Sequence, residues 1–171
     1  MRVTLDLNCL IDIEDYRQPH VEPVLDLRRL AEAGTVELSI PASAASERRG
    51  ADKPRIANFG QFQRWVTELG FGHVDFLAPI LYLDFSFLDY AVLGGGPGSV
   101  LETEIHEVVA PNMPHQSPAP HQAGKWRNAK CDVQAVWCHV HYGDRRVDAG
   151  QQALKGAFSY PDHPAAALTR G

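Results

Sequence analysis

The chain has 171 residues, a formal charge of −5, 44% hydrophobic and 22% charged residues. That length suits one domain with a full core and is too short for two. The acidic balance argues against a protein that coats nucleic acid through bulk electrostatics, and no apolar stretch approaches the roughly 18 residues of a membrane span.

Val3 to Ile11 is an apolar run that predicts a buried strand of a parallel sheet. Asp6 and Asn8 would then point to the same side near its C-terminal end. Asp12 to Pro23 is acidic and broken by Pro19 and Pro23. Val24 to Ala33 has helical spacing closed by Gly34. Val36 to Ile40 alternates as a strand does, Pro41 ends it, and Ala42 to Arg49 predicts a short helix carrying Glu47. Ile56 to Leu69 repeats the helical period through Phe59, Phe62, Trp65, Val66 and Leu69.

Val74 to Phe87 predicts a short strand and a turn. Gly94 to Gly98 reads as a flexible loop, since it lacks both the Lys-Ser/Thr of a phosphate-binding loop and a dinucleotide fingerprint. Leu101 to Ala110 predicts a short helix, and Pro111 to Gln122, with four prolines, a loop. Trp126 to Tyr142 closes the pattern as a helix built on Val133, Val136, Trp137 and Val140. This order of elements favours a three-layer α/β domain with a central parallel sheet.

The chemistry lies in the acids. A carboxylate set into an apolar strand is expensive unless paired or bound to metal, and open α/β sheets place ligands at the C-terminal ends of their strands. Asp6 ends the first strand, Glu47 follows a strand-turn-helix step, and Asp132 is expected in the first turns of the last helix, favoured there by the helix dipole. Three such carboxylates suit Mg²⁺ or Mn²⁺, which prefer oxygen ligands and assist phosphodiester hydrolysis. Taken singly, Glu47 and Asp132 also read as ordinary helix residues. Arg48, Arg49, Lys53 and Arg55 form one basic cluster, and Lys125, Arg127 and Lys130 another. Each sits beside a candidate acid, so Arg48, Arg49, Lys125, Arg127 and Lys130 are the candidate contacts to a phosphodiester backbone.

Leu5-Asp6-Leu7-Asn8-Cys9-Leu10-Ile11 resembles the Leu-Asp-Thr-Asn-Val-Leu-Ile opening of the PIN domain family. Ile40-Pro41-Ala42-Ser43 through Ser46-Glu47 is similar to that family's glutamate-bearing second motif, and Lys130-Cys131-Asp132 to its third. The resemblance covers residues 1–143. It implies an α/β/α nuclease of single-stranded RNA with Asp6, Glu47 and Asp132 as ligands of Mg²⁺ or Mn²⁺ and Asn8 as a polar support. It also admits an antitoxin partner and a homodimer. The family usually continues into a strand ending in Thr-x-Asp; here residues 144–171 form an atypical tail, polar and Gly-rich, in which Asp148 lies near the expected fourth ligand and Asp144 is its weaker rival. Codons permitted for Gly143 to Gln151, read one base later, can spell Ala-Ile-Val-Val-Leu-Thr-Arg-Asp. A change of reading frame would therefore explain the tail, which is otherwise expected to be poorly ordered. The altered tail supports the alternative of a catalytically inactive PIN-like binding module. A phosphatase using Asp6 as nucleophile would need a second Asp where Asn8 stands.

Three cysteines without zinc-ligand spacing and an acidic first segment unlike a signal peptide give a cytoplasmic expectation. Cys9, Cys131 and Cys138 read as small buried hydrophobes. His139 and His141 face different sides of a helix and make poor partners for one metal. His106, His115 and His121 surround the Pro-rich loop, where a transient metal site is conceivable but nothing in the sequence supports it.

Overall fold

A computed structural model describes residues 1–48, 56–83, 85–116 and 123–143. The protein is a mixed α/β chain. Its elements in order are β1 (Arg2–Thr4), α1 (Leu7–Glu14), α2 (Val21–Glu32), β2 (Glu37–Pro41), α3 (Ser43–Glu47), α4 (Phe59–Val66), β3 (Asp75–Leu77), α5 (Gly96–Val109) and α6 (Ala123–Gly143). Among the described residues the strands form one parallel sheet in the order β1-β2-β3, with Val3 opposite Leu38 and Ile40 opposite Phe76.

Two expectations are corrected here. The run from Val3 to Ile11 is not one strand: it divides at Leu5-Asp6 into β1 and α1, and Asp6 becomes the N-cap of the helix with extended φ −81° and ψ 162°. Short apolar runs do not distinguish strand from helix by periodicity, and Leu7 and Leu10, three residues apart, are the buried pair. Nor are Gly94 to Gly98 all loop, because α5 begins at Gly96. Pro97 fits the first turn, where its missing N–H would have had no partner, and Gly96 takes a left-handed φ of +53° that glycine adopts freely.

The larger core gathers Leu5, Leu10, Ile40, Phe59, Phe62, Val66 and Phe71 around the sheet. Phe59 is stacked on Tyr90 with ring centroids 4.2 Å apart and meets Phe76 edge-on, an arrangement favoured by the ring quadrupoles. The start of α4 is capped: the Asn58 side chain accepts from Gln61 N–H at 2.9 Å, while Gln61 Oε1 accepts from Ala57 N–H at 2.8 Å. After α4 a wide turn over Thr67–Phe71 needs glycine at position 70, where φ is +89° and a side chain would collide with the Arg28 guanidinium. A second, smaller cluster of Ile80, Trp137 and Cys138 packs under α5 and α6, tied by Trp137 Nε1 donating to Gly98 O at 2.9 Å.

Phe62 is fully buried at the centre of the larger core. Phe62→Ala is expected to destabilise the protein by about 3–5 kcal/mol, and Asn58→Ala, which removes one cap, by about 1 kcal/mol. Denaturant titration checks both, and equal losses would contradict this division between core and cap.

Candidate functional site

Parallel pairing brings the ends of β1 and β2 to one edge of the sheet. Leu5 N–H donates to Ser39 O at 2.8 Å, so the chain reaches Asp6 beside the exit of β2. Past Pro41, α3 turns back with Ser43 to Ser46 buried and ends at the half-buried Glu47. The Ser46 hydroxyl bonds to Phe85 O and holds that turn inward. α6 then packs on α3, where Cys131 Sγ lies 3.3 Å from Ser43 O. Asp132 follows Cys131 directly, and Glu47 is one helical turn beyond Ser43.

The three acids therefore act on one another. Glu47 is pushed up to about 7, mainly by its burial and then by the charges of Asp6 and Asp132. Asp132 is also raised, first by loss of hydration and then by Asp6, although the residue as a whole is exposed. The Cys131 thiol is raised well above its ordinary value by burial, with Glu47 and Asp132 adding to it, so it is held as a neutral core group. Asp6 makes no side-chain capping bond to the backbone N–H groups of α1. Its carboxylate instead accepts from Asn8 Nδ2 at 3.0 Å.

Asp132 stands in the third turn of α6, not its first turns, too far along for the helix dipole to favour it. Of the cations, Arg48 is only 4% exposed and donates two hydrogen bonds to the Glu14 carboxylate, at 3.0 and 3.3 Å. Its guanidinium lies 4.2 Å over the Trp65 ring, whose Nε1 also donates to Glu14. Lys130 is 1% exposed, with its ammonium 2.5 Å from Glu102. Both cations, expected as contacts to RNA, are instead buried in internal ion pairs, Lys130 away from the surface and Arg48 at the wall of a cavity. Lys125 is exposed and Arg127 half-buried. Arg49, Asp144, Asp148, His121 and the tail of residues 144–171 lie outside the described residues.

A cavity of about 390 Å³ opens beside Glu47, lined by Leu7 and Ile11 of α1, Glu47 and Arg48, and Gly124, Arg127 and Asn128 from the start of α6. Its lining sets one acid, two arginines and an asparagine beside the apolar Leu7 and Ile11. All three donors of the acid group are oxygens, the set that hard divalent cations prefer, and a cation there would offset their mutual repulsion.

Cys131 and Cys138 are buried as expected, whereas Cys9, expected buried in a strand, is half-buried in α1; all three are free thiols. His139 Nδ1 lies 2.9 Å from Thr4 Oγ1, whereas His141 stacks on Trp137. Sequence reasoning missed the pairing of buried Lys130 with Glu102; their separation of 28 positions and the charged character of both gave no signal for it. No helix among the described residues is long and apolar enough to cross a membrane. Comparison with protein families, with curated proteins and with solved structures finds no match to this chain.

Because the fold favours protonated Glu47, the wild type should lose stability as pH rises from about 4.5 to about 7 and keep that loss above it. Glu47→Gln removes this ionisation. Its Tm advantage over the wild type should grow across that interval and then level off in metal-free buffer. An advantage independent of pH would mean that Glu47 titrates alike in the folded and the unfolded chain.

Proposed function

We propose that this protein is a metal-dependent endoribonuclease with a PIN-like, three-layer α/β/α arrangement, hydrolysing phosphodiesters of single-stranded RNA. The observation that supports it is that Asp6, Glu47 and Asp132, carried by three separate elements, lie near enough for their charges to act on one another beside the edge where β1 and β2 end. These residues would hold Mg²⁺ or Mn²⁺, which supplies charge neutralisation at a phosphoryl oxygen and acidifies water. Asn8 orients Asp6 through its amide. Arg127, at the mouth of the cavity, and exposed Lys125 would bind the backbone phosphates. Hydrolysis adds water across one P–O bond and leaves a phosphomonoester and a hydroxyl.

A second reading, an inactive binding module of the same architecture, draws support from the withdrawal of Arg48 and Lys130 into internal ion pairs. It leaves fewer cations for a polyanion than the sequence offered.

Cleavage of mixed single-stranded RNA with Mn²⁺, comparing wild type with Asp6→Asn, separates the two. Asp6→Asn should lower the rate about a hundredfold or more, the loss of several kcal/mol of charge stabilisation. Equal background from two folded proteins would reject the nuclease in favour of the binding module.

A further inference from the structure

On the face of α6 remote from Asp132 lies a second group of potential ligands. Asp132 and Lys130 are two positions apart on the helix, so their side chains point to nearly opposite sides. Lys130 and Gln134, one turn apart, both reach Glu102 of α5. Glu102 and His106 are likewise one turn apart and are 2% and 3% exposed. Beyond α5 the chain turns, with Met113 N–H donating to Ala110 O at 3.0 Å. That turn lays the half-buried His115 ring on His106, their centroids 3.8 Å apart. One ligand atom from each of Glu102, His106 and His115 lies within 4.8 Å of the other two.

The hydrogen bonds leave this group incomplete. His106 Nε2 is 2.7 Å from Met113 O. A carbonyl only accepts, so Nε2 carries the proton and Nδ1 of the neutral ring holds a lone pair. That Nδ1 is buried and has no hydrogen-bond partner, a costly state for a polar atom. Tying one imidazole nitrogen to a backbone carbonyl is how proteins orient a ring whose other nitrogen binds metal. Glu102 is prepared in the same way. Its Oε1 accepts from Lys130 Nζ at 2.5 Å and from Gln134 Nε2 at 3.3 Å. Its Oε2 faces His115 Nδ1 at 3.9 Å, too long for a hydrogen bond.

We propose that Glu102, His106 and His115 form a binding site for a divalent transition metal of the zinc class, which fastens the turn after α5 to the helix. Two imidazole nitrogens and one carboxylate oxygen are a borderline donor set, suited to Zn²⁺ and its neighbours more than to Mg²⁺ or Ca²⁺. Tetrahedral bonds of about 2.0–2.2 Å place ligand atoms roughly 3.4 Å apart, so the group must contract by about 1 Å. Half-exposed His115 is the ligand with room to supply this, by rotating out of its stack. The fourth position is left to solvent. This site is independent of the ribonuclease reading, since it shares neither residues nor donor chemistry with the acid group.

The test is titration of the full chain with Co²⁺, followed by Zn²⁺. One equivalent of Co²⁺ should give the intense visible absorption of a four-coordinate ion, and one equivalent of Zn²⁺ should bleach it. His115→Ala should weaken Zn²⁺ binding about a hundredfold, and His115→Asp, which restores an oxygen donor, should recover at least about tenfold of that. Glu47→Gln should leave the absorption intact. Absence of a Zn²⁺-displaceable signal in the folded wild type would overturn the proposal, as would affinity unchanged in His115→Ala. A signal lost in Glu47→Gln but kept in His115→Ala would move the ion to the acid group and overturn it equally.

Discussion

Parallel pairing of β1 with β2 is the constraint on which the rest of the molecule depends. Parallel neighbours require both chains to leave the sheet at the same edge and return by a crossover. Asp6 and the turn into α3 are brought together for that reason, although some forty positions of sequence separate Asp6 from Glu47. α1 and α2 form the first crossover and α4 the main part of the second, and their apolar faces build the larger core. Acid convergence is thus a consequence of topology and does not depend on direct attraction between the acids. Burial energy must exceed their repulsion; Glu47 is held above the usual carboxylate range first by loss of hydration and then by the charges of Asp6 and Asp132.

Two buried cations hold the helices around this edge. Arg48 joins the end of α3 to Glu14 at the end of α1 and to Trp65 of α4. Lys130 joins α6 to Glu102 of α5 and lies over the Tyr82 ring. Buried ion pairs contribute little net stability when compared with apolar replacements, yet losing one partner leaves an uncompensated charge. Their effect here is to select one arrangement of helices.

α6 separates two environments of opposite donor character. Its Asp132 side contributes to an all-oxygen group near solvent, while its Lys130 and Gln134 side closes over buried Glu102 and the paired histidines. One helix can do this because positions two apart diverge by about 200° and positions four apart realign.

Much was legible without coordinates. The helices around Phe62 and Val133 and the strand at Leu38 follow from periodicity and turn residues. The boundary at Asp6 did not, because Leu5, Leu7 and Leu10 fit a strand and a helix equally until packing selects Leu7 and Leu10 as a helical pair. Gly96 to Gly98 were hidden for a similar reason: glycine has weak local preference, and contact with Trp137 on α6 accompanies their helical start. The sequence by itself determined the supply of apolar faces, turns and ionisable groups. Only the tertiary structure decided that Arg48 and Lys130 are internal partners and that His106 and His115 meet. Those outcomes turn on desolvation and long-range contact, and neither is a property of a residue's sequence neighbours.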